Sequence, residues 1–276
     1  MSGEAVLLAA ADTAGGRASL WSQAARKFAR DRAGLLGLCV VGAYFLVAIA
    51  VSLHLAAIDW TEITGGKWET ISPLHWFGTN IIGQDIFSRA LYSTKTAFAI
   101  GLVVAIAAVV AGAVLGAVAG FFRGGLLDEV IIWIMGVLDS IPFYLLVAAI
   151  AYALRDNPYA MHVAMISTFW TTTGRLIRGE VIKLRGLEFV EAARAIGVPE
   201  FTIIFRHILP NTLHILLVQV TICFVEAIKA EVILSFLGLG IKDGMSWGMM
   251  ISESTLEILS GHFNNLIAAS ALMFGL

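Results

Sequence analysis

The chain has 276 residues, of which 59% are hydrophobic and only 14% are charged, and its formal net charge at pH 7 is −2. A soluble domain carries about 25% charged residues, so this composition excludes an ordinary soluble protein and favours a helical membrane protein. The small net charge gives no overall field that would attract nucleic acid, and no nucleic-acid partner is expected.

The N-terminal region has no apolar run long enough to cross a membrane. Residues 1–18 are predicted to be disordered, and the apolar stretch Ala5–Ala11 lacks the basic leader of a signal peptide. Leu20–Arg32 is rich in arginine and is predicted to form a basic helix on the inner membrane face. The two cysteines, Cys39 and Cys223, lie inside apolar runs without the spacing of metal ligands, so we expect small side chains buried in the membrane and no metal or cofactor in this chain.

The first long apolar run is Gly34–Ile58, which is long enough to cross a hydrocarbon core of about 30 Å. A mixed polar segment, Asp59–Lys95, follows it and carries several tryptophans, which favour the membrane–water interface. Within that segment, Asp85–Tyr92 is predicted to form a short interfacial helix.

Thr96–Phe122 is the second predicted span. Small residues recur in it every four positions and therefore share one helix face. Such a face lets another helix backbone approach closely, and the alternative is chance in a helix rich in alanine and glycine. The predicted packing positions are Ala108, Gly112, Gly116 and Gly120.

Asp128–Leu154 is the third predicted span, and Pro142 within it should kink or break the helix because proline cannot donate a backbone hydrogen bond. Asp139 lies one turn before the proline. A carboxylate inside a membrane usually faces protein or water and marks a solute path. The alternative is that Asp139 lies near a helix end, and the sequence leaves both interpretations open.

Two further spans follow. The fourth, Ala160–Gly174, is short and can gain length from Arg175–Glu180, whereas the fifth, Asn211–Leu237, is long. In the fifth, Glu226 and Lys229 are three residues apart and are expected to pair locally, with a solute or proton path as the alternative. The candidate path or gate residues of the whole chain are Asp139, Pro142, Glu226, Lys229 and Glu231.

The C-terminal region is predicted to begin with a polar loop, Ile241–Gly261. Leu266–Leu276 is apolar but covers only about 16 Å, so we expect the sequence to stop within a sixth span. Lysines and arginines concentrate in the N-terminal tail and in Arg175–His207. This bias favours a cytoplasmic N-terminus and a cytoplasmic location for the segment that contains Glu191.

One polar segment, Leu187–Asn211, interrupts the apolar pattern, and we name it the elbow. Its first half is predicted to be a helix with an apolar face at the spacing i, i+3, i+4 and i+7. That face comprises Phe189, Ala192, Ala193 and Ile196. Gly197 stands where a left-handed helix cap belongs, Pro199 suits the first turn of a second helix, and Pro210 is expected to end that helix. We interpret the elbow as a docking surface; the alternative is a connector that packs on its own helices.

The elbow resembles a known motif. Glu191-Ala192-Ala193, followed by Gly197 and then by Leu209-Pro210, is similar to the EAA loop of ABC-importer permeases. In that family the loop forms a coupling helix that docks in a cleft of a cytoplasmic ATPase. The family pattern often has isoleucine three residues before the proline. This chain has His207 at that position, as in the peptide-transporter branch of the family. By this resemblance the ATPase-coupling residues are Glu188, Glu191, Ala192, Ala193, Arg194, Gly197, Leu209 and Pro210.

Two other segments support the resemblance. Residues 78–89 are similar to the segment before the second span in the C-type subunits of dipeptide, oligopeptide and nickel importers, although Asn80 and Gln84 depart from that pattern. Residues 231–248 resemble the C-terminal signature of the same subunits. The resemblance covers about residues 30–276.

The resemblance implies an all-α, polytopic fold of the type I ABC importer kind, with about six transmembrane helices, in the bacterial inner membrane. We therefore divide the chain into a tail predicted to be disordered, 1–18, a region with an N-terminal helix, the first span and an external loop, 19–95, and a permease core, 96–276, with the cytoplasmic coupling loop at about 180–210. The implied partners are a homologous second permease subunit, two cytoplasmic ATPases, an external solute-binding protein and membrane lipid. No catalysis is expected in this chain, because the ATPases would bind ATP and Mg²⁺ and the sequence has no G-x-x-x-x-G-K-[ST] phosphate loop.

Two other functions stay open on the sequence alone. A secondary, ion-coupled transporter would use Asp139 and the Glu226–Lys229 pair. Such carriers usually show internal repeats and broken helices, whereas this sequence has no internal repeat and only Pro142 as a break. A membrane scaffold would use the elbow only to bind a partner. The sequence does not name the solute, for which peptides are the expectation in this branch.

Overall fold

A computed structural model of the protein describes residues 27–241 and 244–276. Apart from loops and two isolated β-bridges, these residues are helical, which confirms the predicted all-α class. In chain order the helices are α1 (Arg32–Ser52), α2 (Ile86–Phe121), α3 (Leu126–Asp139), α4 (Phe143–Ala153), α5 (Ala160–Leu184), α6 (Glu188–Ala195), α7 (Glu200–Phe236), α8 (Trp247–Leu259) and α9 (Asn264–Gly275). The predicted disordered tail 1–18 and most of the predicted basic helix Leu20–Arg32 lie outside the described residues.

The chain divides into a small unit, Met1–Leu46 with Leu276, and a large unit, Val47–Gly275, which contains α2 to α9. Among the described helices, α1, α2 and α7 are long and apolar enough to cross a membrane, and the bent pair α3–α4 adds a fourth crossing if it is one span. Helix α5 extends past the predicted Gly174 to Leu184, and the apolar stretch Leu266–Leu276, expected to belong to a sixth span, lies largely in α9. The count of about six spans therefore stays a prediction.

Helix α1 ends earlier than expected. It stops at Ser52, whereas the apolar run that predicted it continues to Ile58. The reason lies in the backbone: His54 and Ala57 adopt positive φ angles of 55° and 52°. This left-handed conformation cannot continue a right-handed helix, so the last apolar residues of the run form a turn instead.

Helix α2 joins two elements that were predicted as separate. The interfacial helix Asp85–Tyr92 and the span Thr96–Phe122 are parts of one helix of 36 residues, so the division between them was wrong. Asp85 caps this helix by accepting a hydrogen bond from the N–H of Ser88 at 2.8 Å, and no proline or glycine interrupts residues 86–100. At 1.5 Å per residue α2 is about 54 Å long, so it extends beyond a hydrocarbon core of about 30 Å.

The predicted third span, Asp128–Leu154, is two helices that meet at an angle of 94°. Pro142 is the residue directly before α4, where its fixed φ of −53° suits a helix start and no backbone donor is required. The prediction that Pro142 kinks or breaks the helix is confirmed, and the prediction of one continuous span is corrected.

Helix α7 continues through Pro210, which was expected to end a helix. Its hydrogen-bond pattern changes on the way: Ile203–Ile208 form a π-helical turn, and Leu209–Thr212 form a 3-10 turn with Pro210 near its start. The change of pitch accommodates the missing N–H and the ring of the proline, so the chain keeps its helical direction.

The predicted polar loop Ile241–Gly261 contains α8, so that prediction was wrong. Ser246 caps α8 by accepting a hydrogen bond from the N–H of Met249 at 3.3 Å. Trp247 is 1% exposed, and its indole Nε1–H donates to the carbonyl oxygen of Ala90 in α2 at 3.0 Å. Tertiary contact with α2 therefore stabilises a helix that the polar composition of the segment does not predict.

Candidate functional site

The first helix of the elbow, α6, ends in a defined cap. Gly197 has a φ of +80° and comes directly after Ile196, the C-cap residue of the helix. The N–H of Val198 donates to the carbonyl oxygen of Ala193 at 3.0 Å, and the N–H of Gly197 donates to that of Arg194 at 2.9 Å. This pair of bonds is the Schellman arrangement, which requires a left-handed residue and therefore favours glycine. The cap fixes the angle at which the chain leaves α6.

Only one side of α6 is buried. Val190 and Ala193 pack against a cluster of isoleucines from α5 and α7, whereas Ile196 is 80% exposed. The predicted apolar face is therefore corrected: its members Phe189, Ala192 and Ile196 stay exposed. The other two apolar members of the predicted ATPase-coupling set differ: Leu209 packs against the same cluster, and Pro210 is exposed.

The exposed side of α6 carries free carboxylates. Glu188 and Glu191 are exposed beside Ala192, and neither carboxylate forms an ion pair with any residue in the described ranges. Arg194 is directed elsewhere, with its guanidinium 5.0 Å from the centroid of the Phe121 ring. The surface of α6 is thus acidic with an apolar edge, which is suited to a partner that presents arginine or lysine.

Helices α2 and α5 contact each other along the small-residue face of α2. All four members of that face are buried: Ala108, Gly112, Gly116 and Gly120. A Cβ added at Gly112 would lie 2.6 Å from the carbonyl oxygen of Trp170, and one added at Gly120 would lie 2.6 Å from that of Arg178. At Gly116 it would overlap the carbonyl oxygen of Gly174. The two backbones are therefore in direct contact.

Replacing Gly116 by alanine is expected to lower the free energy of unfolding by about 1–3 kcal/mol, because the new methyl group forces the two backbones apart. Gly179 in α5 provides the matched control, since an added Cβ there meets nothing within 4 Å. Gly179→Ala should instead raise the free energy of unfolding by up to about 1 kcal/mol through helix propensity. Chemical denaturation followed by tryptophan fluorescence measures both changes, and equal effects would contradict a direct backbone contact.

A cavity of about 630 Å³ opens at the break between α3 and α4. Polar side chains from three helices reach it, including Asp139 of α3, Thr171 of α5 and Glu226 of α7. Phe143 and Phe169 stack along its wall with ring centroids 4.9 Å apart. Non-helical backbone at membrane depth is tolerated where it is buried in protein or lines a water-filled space. The arrangement can therefore hold a polar ligand between helices.

The sequence left two interpretations of Asp139 open, a carboxylate that faces protein or water and a residue near a helix end, and both apply. It is the last residue of α3, and it also lines the cavity. Its carboxylate accepts a hydrogen bond from the hydroxyl of Thr171 at 3.1 Å and forms an ion pair with Arg175. Pro142 and Glu226 line the same cavity.

The other two candidate path residues lie elsewhere. Lys229 Nζ is 2.5 Å from Glu226 Oε1, which confirms the expected local ion pair. Glu231 is 1% exposed and accepts a hydrogen bond from Ser235 Oγ at 2.5 Å. Neither Lys229 nor Glu231 is among the described residues that line the cavity, so only Asp139, Pro142 and Glu226 are brought together.

Sequence reasoning missed two ion pairs that join α3 to α5. Arg175 pairs with Asp139, and Arg178 Nε is 2.7 Å from Oδ1 of Asp128, which is 3% exposed. A signal was present in the spacing. The two arginines are three residues apart and therefore share one face of α5. The two aspartates are about three helical turns apart and therefore share one face of α3.

Comparison with known proteins gives consistent matches. The sequence model of the family described as "Binding-protein-dependent transport system inner membrane component" matches residues 108–276. A dipeptide transport permease of Bacillus subtilis is 36% identical over 190 residues, which are 68% of this chain and 59% of that protein. An oligopeptide transport permease of the same organism is 32% identical over 85% of this chain and 77% of its own length. A dipeptide transport permease of Alkalihalophilus pseudofirmus is 34% identical over 92% of this chain and 84% of its own length.

The family match covers more than half of the chain, including α5, the elbow and α7. The apolar helices and the relatives that align along most of the sequence agree with it. The chain therefore belongs to the family of binding-protein-dependent transport system inner membrane components, the multi-pass permease subunits of ABC importers, within the dipeptide and oligopeptide branch.

Proposed function

We propose that this chain is one transmembrane half of an ATP-driven importer that moves peptides or similar small solutes across the bacterial inner membrane. The observation that carries the proposal is the exposed surface of α6, where Glu188 and Glu191 have no ion-pair partner among the described residues. The names of the relatives, which are dipeptide and oligopeptide transport permeases, support peptides as the solute class.

The proposed orientation has the N-terminus and the elbow in the cytoplasm. It rests on the concentration of lysine and arginine in the N-terminal tail and in Arg175–His207. In this orientation α6 faces a cytoplasmic ATPase, which binds the ATP and Mg²⁺ that drive transport. A second, homologous permease subunit, a second ATPase and an external solute-binding protein complete the proposed assembly.

The proposed coupling device is a rigid lever. Val190 and Ala193 of α6 pack on the isoleucine cluster at the start of α7, which includes Ile204. The same helix continues to Gln219 and Glu226, which line the cavity. From Ile204 to Gln219 the distance along α7 is about 22 Å at 1.5 Å per residue. A displacement of α6 by the ATPase would therefore move one wall of the cavity as a rigid body.

The proposed solute path includes the cavity at the α3–α4 break. Its volume of about 630 Å³ lies within the range of roughly 300–1,000 Å³ that is typical for sites of small ligands. Asp139 and Glu226 present carboxylates to this cavity, and Thr171 presents a hydroxyl. Both carboxylates already form ion pairs, with Arg175 and Lys229, so the proposed contacts to a short peptide are hydrogen bonds from its amide groups.

Peptide uptake into cells that produce the complete transporter tests the proposal. We expect vanadate, which blocks ABC ATPases, to abolish uptake, and we expect a protonophore to leave initial uptake intact. Uptake that survives vanadate but stops with the protonophore would contradict the proposal. That result would favour an ion-coupled carrier that uses Asp139 and the Glu226–Lys229 pair.

A further inference from the structure

A second, smaller cavity lies between α2 and the start of α5, apart from the cavity at the α3–α4 break. Its volume is about 260 Å³. We name it the Lys95–His162 cavity. It is lined by Tyr92, Lys95, Thr96, Ala99, Ile100, Pro158, Tyr159, His162 and Ile241. Its lining combines apolar side chains with a cation, an imidazole and two phenol rings.

Among the described residues, no carboxylate pairs with the cation in this cavity. Lys95 forms no ion pair with any described residue, and its Nζ lies 5.3 Å from the centroid of the Tyr92 ring. Lys183 and Lys229 differ, since each pairs with a glutamate three residues earlier in its helix. A lysine that is partly withdrawn from water between two helices favours an anion as its partner.

One nitrogen of the imidazole also lacks a hydrogen-bond partner in the part of the chain that the structure describes. The Nδ1 atom of His162 is buried and has no hydrogen-bond partner among the described residues. Buried polar atoms in folded proteins are nearly always hydrogen-bonded, so an orphaned one calls for a group that this chain does not supply. The ring is held edge-on to Tyr159, with centroids 6.0 Å apart, so its orientation is defined by packing.

The walls of the cavity are held in place by contacts outside it. Tyr92 stacks on Trp60 with ring centroids 4.3 Å apart, on the side of the loop that precedes α2. The hydroxyl of Thr96 donates to the carbonyl oxygen of Met245 at 2.7 Å, so this group is already satisfied. Lys95, which has no ion pair among the described residues, and His162, with one unpartnered nitrogen among them, thus line a pocket whose walls are supported from outside.

We propose that the Lys95–His162 cavity is an anion-binding subsite that holds one carboxylate or phosphate group. Its volume is below the roughly 300 Å³ at which sites for whole small ligands begin, so it accepts a terminal group and not an entire solute. Two sources share this chemistry: the C-terminal carboxylate of an entering peptide and the phosphate of an anionic lipid. The peptide source rests on the proposed function, whereas the lipid source does not.

The test measures how fast an amine-reactive acetylating reagent modifies Lys95 in the purified, complete transporter in maltoside detergent, which has no anionic group. Lys67 is an internal control of the same kind, because its Nζ lies over the Trp68 ring at 3.9 Å but outside the cavity. Mass spectrometry gives the ratio of the two rates. The probes are trialanine, trialanine amide and phosphatidylglycerol.

We expect saturating trialanine or phosphatidylglycerol to slow modification of Lys95 relative to Lys67 by about tenfold, the scale of one charge-assisted contact. Trialanine amide should have no effect. Which of the two anions protects Lys95 identifies the source. His162→Phe leaves Lys95 in place and should remove most of the protection.

The proposal is overturned if neither anion changes the ratio, if trialanine amide protects as well as trialanine, or if His162→Phe retains full protection. Protection of Lys95 does not require ATP-driven uptake. A failure of the proposed import function would therefore appear in the uptake assay and not in this ratio, and the two failures are distinguishable.

Discussion

Replacing Arg178 by methionine is expected to lower the free energy of unfolding by about 3 kcal/mol or more, because it leaves a buried charge without its partner. Asp128 is 3% exposed, and both of its oxygens accept hydrogen bonds from Arg178, at 2.7 and 2.9 Å. Without the guanidinium, the carboxylate keeps only the N–H of Gly124 at 2.9 Å. The methionine preserves much of the volume of the side chain, so the loss reports on charge and hydrogen bonding.

Arg175 is the matched control, one turn earlier on the same helix. It also pairs with an aspartate of α3, Asp139, but the two side chains are 55% and 40% exposed. Exposed ion pairs contribute about 0–1 kcal/mol, so Arg175→Met should change the free energy of unfolding by less than about 1 kcal/mol. Denaturant unfolding of the purified variants measures the change in the free energy of unfolding for both substitutions. Similar losses for the two arginines would mean that burial of Asp128 does not decide the effect.

The double variant Asp128→Asn/Arg178→Met refines the test. Removal of both charges should recover part of the loss, because an amide is less costly to bury unpaired than a carboxylate. A double variant as unstable as Arg178→Met alone would indicate that packing of the arginine side chain, and not its charge, stabilises the contact between α3 and α5.

The parts of the fold that sequence predicted well are those that local signals determine. The apolar runs of α2 and α7 are long enough to identify spans by composition, and Pro142 lies at the helix break that its missing backbone donor predicts. Pro210 does not end its helix, because a π-helical turn and a 3-10 turn accommodate it within α7. The polar segment that forms α8 was missed because Trp247 contacts Ala90, which is distant in sequence. Composition within the segment carries no information about that contact.

The candidate site also has features that the sequence predicts and features that depend on tertiary packing. The cap at Gly197 was predictable, since the position of a glycine after a short helix specifies it. The buried side of α6 was not, because Phe189 and Val190 are both apolar and the isoleucines of α7 decide which of them is covered. The cavity at the α3–α4 break needs Asp139, Thr171 and Glu226 from three helices, and its existence depends on how those helices pack.

Replacing Glu191 by tryptophan is expected to reduce ATP-driven uptake at least about thirtyfold, the effect of losing roughly 2 kcal/mol at the centre of an interface. Glu191 lies at the middle of the exposed side of α6, opposite the buried Val190 and Ala193. If α6 docks on an ATPase as proposed, a bulky ring there would keep it out of the cleft of that partner. The free energy of unfolding should not change, because Glu191 is exposed and has no ion pair among the described residues.

Glu129→Trp is the control, since Glu129 is an exposed glutamate in the first turn of α3, outside the elbow. It should leave both uptake and stability unchanged. Wild-type uptake in Glu191→Trp would contradict the coupling role of α6. Glu191→Gln then separates charge from shape: retained uptake assigns Glu191 to orientation of the helix, whereas a loss that weakens with added salt assigns it to an ion pair with the ATPase, because salt screens exposed charges. Gly197 is unsuited to this comparison, because its φ of +80° makes any bulky substitution a disturbance of the cap itself.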